Sequence, residues 1–129
     1  ADFITGFPTE TDEMFENTMR LVDECGLTWL HVFPYSPRPG TPAARMPQVA
    51  RETAKARARR LRMKGVEHVR VHLDQGLGAT RPVLMETPVL GRTHQFAPVR
   101  VSEAASAGEI LALRLAAHDG KSFEGSRAA

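Results

Sequence analysis

The polar side chains of a proline-rich segment are the first candidates for chemistry. Tyr35, Ser36, Arg38 and Thr41 lie in the segment 34–42, which contains four prolines in nine residues. So many prolines exclude a helix or a central strand. The guanidinium group of an arginine can bind a phosphate or a carboxylate through two parallel hydrogen bonds. The segment is interpreted as a rigid frame for polar binding groups or, alternatively, as a stiff linker.

Residues that bind metals are few. His68 and His72 have the i, i+4 spacing of a metal-binding pair, but no third ligand is evident, so no metal site is expected. Cys25 is the only cysteine. It cannot form a disulfide within the chain, which fits a cytoplasmic protein. One thiol also cannot hold an iron–sulfur cluster, which takes about four ligands, mostly cysteines. No apolar run approaches the roughly 20 residues that span a bilayer, so no membrane partner is expected.

The net charge of +2 conceals an uneven distribution. Residues 1–48 carry three basic and seven acidic side chains, whereas residues 49–129 carry fourteen basic and eight acidic ones. The densest stretch, residues 55–64, contains six lysines and arginines. A basic half is typical of a protein with a polyanionic partner, although a solvated basic face gives the same pattern.

The elements that must position the proline-rich segment lie just before it. Residues 2–6 and 27–33 read as strands, and the residues between them have helical periodicity. Two strands joined by a helix are normally parallel, with a right-handed crossover. The loops 6–11 and 34–42 should therefore leave the same edge of one sheet. In α/β folds this carboxyl edge carries the active site.

The rest of the chain predicts a basic helix followed by short strands. Helical periodicity runs from residue 48 to about residue 74, and the period then changes to two. Five strands are predicted, at residues 81–86, 90–94, 97–102, 109–117 and 121–124. Such closely spaced strands indicate a small antiparallel barrel. The predicted architecture is α/β followed by all-β. The predicted domains are residues 1–47, the linker helix 48–76, and residues 77–129.

Two motifs of the chain are specific when taken together. They are Gly6-Phe7-Pro8-Thr9-Glu10-Thr11 and Tyr35-Ser36-Pro37-Arg38-Pro39-Gly40-Thr41-Pro42-Ala43-Ala44. Together they closely resemble the last two strand–loop units of the partial TIM barrel in the methylthiotransferase branch of radical-SAM enzymes. Thr9 with His31-Val32-Phe33-Pro34 is most similar to the members that act on N6-threonylcarbamoyladenosine at position 37 of tRNA. Residues 81–125 are similar to a TRAM domain, a five-stranded RNA-binding barrel.

The resemblance also implies roles for individual residues. Ile4 and Gly6 fall on the barrel strand that flanks the adenosine part of S-adenosylmethionine, where an apolar side chain can cover a purine and glycine allows close approach. Arg38 follows the last barrel strand, where it can bind the substrate carboxylate or the tRNA backbone. The residues implied in substrate or RNA binding are Tyr35, Ser36, Arg38, Arg92, Thr93, Phe96 and Arg100.

The resemblance further implies S-adenosylmethionine and [4Fe–4S] clusters as cofactors and tRNA as a partner. The clusters of the family use cysteines that this sequence lacks. A start at Ala1, directly before a strand, also suggests truncation. The chain is therefore expected to be the C-terminal piece of a methylthiotransferase, without catalytic residues of its own and with the N-terminal part of the same protein as partner. Alternatives are a stand-alone TRAM-type RNA-binding adaptor, a degraded gene end, or an enzyme acting on isopentenyladenosine-37.

Overall fold

The computed structural model describes residues 1–128, and the chain divides into two compact units, Ala1–His68 and Val69–Ala129. Helix α2, residues Arg51–Gly76, contributes residues to both units. The predicted domain limits at residues 47 and 76 stay a prediction. Within the described residues no helix is both long and apolar enough to cross a membrane.

The first unit begins with a strand, a helix and a second strand. Strand β1 spans Asp2–Thr5, helix α1 spans Asp12–Glu24 and strand β2 spans His31–Pro34. The two strands are parallel, with Ile4 opposite Phe33. The predicted α/β arrangement is therefore confirmed, and with it the expectation that the two following loops leave the same sheet edge.

The second strand begins later than the sequence predicts, at His31 instead of residue 27. Helix α1 ends in a Schellman motif, in which the N–H of Leu27 donates to the carbonyl of Val22 at 3.0 Å. Leu27 and Leu30 then pack against the hydrophobic core. Because these residues serve the helix terminus and the core, they do not extend the ladder with β1.

The core of the first unit lies on one face of the two-stranded sheet. Its buried members are Phe15, Val22, Val32, Ala58 and Leu61. Burying each such side chain contributes roughly 1.5–3 kcal/mol, apart from the smaller alanine. Side chains alternate between the faces of a strand. Ile4 and Phe33, next to each other in register, are accordingly 56% and 54% exposed on the other face.

Helix α2 buries a narrow apolar stripe along its length. The buried residues of this stripe are Ala54, Ala58, Leu61 and Leu73. Gly65 also lies on the buried side, where a Cβ would come within 3.1 Å of Leu30. Glycine weakens a helix locally. Close packing of Leu30 explains why position 65 nevertheless has no side chain.

The second unit contains five strands that form a closed barrel in the order β3-β4-β5-β7-β6. The strands are β3 Thr80–Thr87, β4 Leu90–Thr93, β5 Pro98–Val101, β6 Ile110–His118 and β7 Phe123–Arg127. Each overlaps one predicted strand, so the predicted barrel is confirmed. One pair, β5 with β7, is parallel instead of antiparallel. The reason is geometric: an odd number of strands cannot alternate in direction all the way round a closed ring.

The barrel interior follows from the two-residue period of its strands. In β6, Leu111, Leu113 and Leu115 are buried, whereas the residues between them are exposed. The inward residues of the other strands include Val83, Met85, Val99 and Phe123. The end of α2 is tied to the barrel by His118, whose Nε2 lies 2.7 Å from Oδ1 of Asp74.

Candidate functional site

The loops 6–11 and 34–42 meet at the carboxyl edge of the two-stranded sheet. The backbone N–H of Tyr35 donates to the carbonyl of Thr5 at 2.8 Å, which continues the parallel ladder beyond β2. The rings of Phe7 and Tyr35 then pack edge to face, with their centroids 5.4 Å apart. The structure thus brings together the two segments that the sequence singled out.

Loop 6–11 is held by a buried ion pair. Oε1 of Glu10 accepts the N–H of Gly6 at 2.9 Å and a guanidinium N–H of Arg57 at 2.7 Å. Arg57 also donates to the carbonyl of Glu10 and to Oδ1 of Asp12, at 3.1 and 2.6 Å. Burial opposes the charge of Arg57, but the hydrogen bonds to Asp12 and Glu10 outweigh it and raise the pKa of the guanidinium. Arg57 of α2 therefore anchors loop 6–11.

This ion pair was missed from the sequence. Glu10 entered the sequence analysis only as part of a motif, and Arg57 only as one member of the basic stretch 55–64. A signal was present, because Arg57 stands between Ala54 and Ala58 on the buried stripe of α2. A cation at such a position requires a partner, since an unpaired buried charge is costly.

The residues expected to flank the adenosine of S-adenosylmethionine have different surroundings. Ile4 is exposed beside Phe33 on the open face of the sheet, which suits an apolar cover for a purine. Gly6 has a φ of +70°, and a Cβ there would lie 2.3 Å from that of Ala54. Close packing of the loop on α2 therefore already requires glycine at position 6.

Loop 34–42 is built around a tight turn. The carbonyl of Arg38 accepts the N–H of Thr41 at 3.3 Å and its hydroxyl at 2.8 Å. Pro39 and Gly40 occupy the two central positions, with Gly40 at φ +84°, as a type II turn requires. The side chains of Ser36 and Arg38 are exposed. The turn fixes the backbone and leaves the guanidinium of Arg38 accessible to a ligand.

The hydroxyl of Tyr35 is buried and has no hydrogen-bond partner among the described residues. A buried hydroxyl without a partner costs about 1–3 kcal/mol. The hydroxyl therefore contributes no stabilising hydrogen bond to the fold of residues 1–128.

Three of the implied RNA-binding residues of the barrel, Arg92, Thr93 and Phe96, lie at the turn between β4 and β5. Phe96 is 71% exposed and has a left-handed φ of +66°, which is unfavourable for a non-glycine residue. The hydroxyl of Thr93 is buried and accepts the N–H of Ala97 at 3.2 Å, so it stabilises the turn. Nε of Arg92 donates to Glu86 at 3.0 Å, and Nη1 donates to the carbonyl of Phe96 at 3.3 Å. Thr93 and Arg92 therefore hold Phe96 outward.

Arg100 is exposed on β5, away from this turn in sequence. Its charge contributes to lowering the pKa of Asp119. The main causes of that shift are the backbone N–H groups of Ser122 and Lys121, which donate to the Asp119 carboxylate at 2.7 and 2.8 Å.

The basic run of α2 is largely occupied by contacts within residues 1–68. Arg60 pairs with Glu16 at 2.7 Å, and Lys64 pairs with Asp23 at 2.5 Å. Arg62 donates to the carbonyl of Val32 at 2.7 Å. With Arg57 and the Lys55–Glu52 pair, five of the six cations in 55–64 have such contacts.

The residues of this chain do not fit an iron–sulfur cluster. Its single cysteine, Cys25, is exposed next to the end of α1, whereas a cluster takes about four ligands. Residues 1–128 contain no group of three or more His, Cys, Asp or Glu side chains that could hold a metal ion. Of the histidine pair considered from the sequence, His68 contacts Asp23 at 2.8 Å.

Comparison with known proteins identifies relatives over nearly the whole chain. The chain is 45% identical over 115 residues, 89% of its length, to the threonylcarbamoyladenosine tRNA methylthiotransferase MtaB of Rickettsia prowazekii. It is 35% identical over an alignment of 135 residues, 99% of its length, to the tRNA-2-methylthio-N(6)-dimethylallyladenosine synthase of Bartonella bacilliformis. No protein-family model matches the chain.

The chain spans only 27% and 30% of the length of these two curated relatives. The alignment with the Bartonella synthase covers 99% of the chain and therefore includes both loops and the barrel. The motifs at the sheet edge, the closed five-stranded barrel and these identities agree. The chain therefore belongs to the family of MtaB- and MiaB-like tRNA methylthiotransferases, as a segment that resembles their C-terminal part.

Proposed function

We propose that the chain is part of a tRNA methylthiotransferase that adds a methylthio group to C2 of N6-threonylcarbamoyladenosine at position 37 of tRNA. The observation that carries this substrate is the combination of identity and length in the match to the Rickettsia protein, 45% over 115 residues; the tRNA-2-methylthio-N(6)-dimethylallyladenosine synthase of Aeromonas hydrophila is 46% identical, but over only 90 residues. The motif of Thr9 with His31-Val32-Phe33-Pro34 supports the same branch. The intact enzyme would use S-adenosylmethionine and [4Fe–4S] clusters, and this chain would supply binding surfaces.

In this proposal the first unit forms one wall of the active site. Threonylcarbamoyladenosine carries a carboxylate, which the exposed guanidinium of Arg38 can bind through two hydrogen bonds. Tyr35, whose ring packs on Phe7 where the two loops meet, is proposed as a further residue of the substrate-binding wall. The apolar surface of Ile4 and Phe33 suits one face of the adenosine of S-adenosylmethionine. That cofactor would supply the radical and the methyl group when bound.

The second unit is proposed to bind tRNA. Phe96 offers an exposed ring on which a base can stack, and Arg100 offers an exposed cation for a phosphate. The strain at Phe96 supports a binding role, because its left-handed backbone is maintained by Arg92 and Thr93 around an otherwise exposed ring.

A second substrate has support of its own. The Bartonella synthase, whose name specifies dimethylallyladenosine, aligns over 99% of the chain, which is more than the Rickettsia protein does. A hydrophobic dimethylallyl group has no carboxylate for Arg38. The two substrates therefore predict different consequences when Arg38 is removed.

A chimera tests the proposed enzyme function. The chain replaces the matching segment of the Rickettsia protein, and nucleosides from tRNA are analysed by mass spectrometry in cells that lack their own enzyme. We expect 2-methylthio-threonylcarbamoyladenosine to form. A well-expressed chimera that leaves threonylcarbamoyladenosine unmodified would contradict the proposal, and tRNA binding without modification would favour the adaptor. The same replacement in the Bartonella synthase tests the alternative substrate.

Arg38→Ala in the active chimera tests the role of the loop. A lost charge-assisted contact to the substrate should lower the modification rate at least about tenfold. Arg45→Ala is the matched control, because Arg45 is an exposed arginine just beyond the same loop. Unchanged modification and unchanged tRNA affinity in Arg38→Ala would remove Arg38 from the proposed site.

A further inference from the structure

A cavity of about 150 Å³ lies between the last turn of α2 and the barrel strands of the second unit. Two buried apolar side chains, Leu115 and Phe123, form part of its wall. Its polar lining includes the exposed side chains of Gln75, Arg81 and Gln95. Thr93, which also lines the cavity, is among the residues implied by the family resemblance, whereas Gln75, Arg81 and Gln95 are not.

The size and lining of this cavity select a class of ligand. A cavity of about 150 Å³ can hold one benzene-sized ring. Gln75 and Gln95 each present a donor and an acceptor, which is the pattern that side-chain amides use to bind the edge of a nucleobase. Arg81 adds a fork of donors that matches a phosphate. A purely apolar ligand would leave these polar groups without partners, at a cost in free energy.

The imidazole of His72 also lines the cavity. Burial lowers its pKa, so the ring is neutral at neutral pH. A neutral ring suits an uncharged base better than a second phosphate. Within the described residues no cluster of three metal-ligating side chains occurs, so the cavity does not suit a metal ion.

We propose that this cavity is a subsite for one unpaired RNA nucleobase, whose edge is bound by Gln75 and Gln95 and whose phosphate is bound by Arg81. Phe96 follows Gln95 by one residue and is exposed, so it can stack the neighbouring base. The subsite rests on the proposed binding of tRNA by the barrel. It goes further by naming a base-binding pocket on the α2 side of the barrel.

The test uses the full 129-residue chain and labelled single-stranded RNA. Fluorescence anisotropy measures affinity for six-nucleotide oligomers of uridine, cytidine or adenosine, for a six-unit abasic ribose-phosphate chain, and for whole tRNA. At least one base-bearing oligomer should bind about tenfold tighter than the abasic chain. The double variant Gln75→Ala/Gln95→Ala should lose about tenfold for that oligomer and almost nothing for the abasic chain.

Two further variants separate charge from base recognition. Arg81→Gln should weaken the base-bearing and abasic chains alike, whereas Arg114→Gln, an exposed arginine of the same barrel outside the cavity, should change either less than about twofold. Gln95→Glu keeps the shape of the side chain and should weaken both chains through repulsion of phosphate. Circular dichroism of each variant confirms folding. The side chains changed are exposed, so the fold should be retained.

The outcomes distinguish the subsite from the proposed function. If the wild-type chain binds no tRNA, the subsite and the proposed tRNA binding by the barrel are both overturned, whereas the enzyme function is decided by the chimera. If the wild-type chain binds tRNA but prefers no base-bearing oligomer to the abasic chain, the subsite alone is overturned. The subsite alone is also overturned if Gln75→Ala/Gln95→Ala and Gln95→Glu both bind every oligomer as tightly as the wild type does.

Discussion

Replacing Arg57 with methionine should strongly destabilise the first unit. The side chain of Arg57 is 8% exposed, and the carboxylate that it contacts at 2.7 Å, that of Glu10, is 12% exposed. Methionine keeps most of the aliphatic stem and removes the charge. The carboxylate of Glu10 would retain only the N–H of Gly6 as a donor, at 2.9 Å. A nearly buried charge would then lack its counterion, which is a costly arrangement.

The expected magnitude follows from the exposure of each partner. Removing one member of a buried ion pair costs about 3–5 kcal/mol, and the lower end applies here because the N–H of Gly6 still donates. The contact with Asp12 adds less than about 1 kcal/mol, because that side chain is 96% exposed. We expect Arg57→Met to lower the free energy of unfolding by about 3 kcal/mol. Asp12→Asn should lower it by less than about 1 kcal/mol.

A double variant isolates the buried charge as the cause. Arg57→Met/Glu10→Gln removes the unpaired carboxylate, so it should be more stable than Arg57→Met alone by about 1–2 kcal/mol. Urea unfolding followed by fluorescence measures the first unit selectively, because Trp29 is the single tryptophan and lies in that unit. The buried charge is not the cause if Arg57→Met costs no more than Asp12→Asn, or if the double variant is no more stable than the single one.

Three further predictions concern single side chains. Phe96→Gly should raise the melting temperature, because glycine relieves about 1 kcal/mol of left-handed strain. The same change should weaken tRNA binding, because it removes the stacking ring. A lower melting temperature would refute the strain. Tyr35→Phe should not lower the free energy of urea unfolding, because the hydroxyl lost has no described partner; a loss above about 1 kcal/mol would reveal one. Burial lowers the pKa of His72, so its NMR titration midpoint should lie below 6.5. The associated stability is complete above pH 6.5 and is lost as the pH falls through the folded pKa, because the unfolded chain takes up the proton first; a midpoint at or above 6.5 would contradict this.

The barrel strands were predictable because their periodicity is local. Leu111, Leu113 and Leu115 alternate with exposed residues, and this pattern by itself indicates a strand with one buried face. The direction of each pairing is not local, since it depends on how many strands close the ring. The start of β2 was also misjudged, because Leu27 and Leu30 have the side chains of a strand but serve the end of α1 and the core.

The position of the candidate site was predictable for a different reason. The crossover rule places both loops at one sheet edge, whatever their sequences. The support of loop 6–11 was not predictable in the same way, because Glu10 and Arg57 are 47 residues apart in sequence. Gly6 is a residue that the sequence singled out for a different reason. Glycine at position 6 was attributed to the close approach of a cofactor, which stays a prediction, but packing on Ala54 by itself requires glycine there.

The internal contacts of α2 change where RNA binding should be sought. The sequence placed the strongest positive charge in residues 55–64, but five of its six cations are engaged within residues 1–68. A cation that is already paired releases fewer counterions when it meets a phosphate, so it adds little to affinity or to its salt dependence.

Each newly neutralised phosphate of a single strand contributes about 0.7 to the slope of log K against log salt. If exposed cations such as Arg81 and Arg100 make the phosphate contacts, the slope of log K against log salt should be shallow, near twice the contribution of one phosphate. A shallow slope leaves recognition of bases, by Phe96 and by the cavity beside Gln95, as the larger part of the binding free energy.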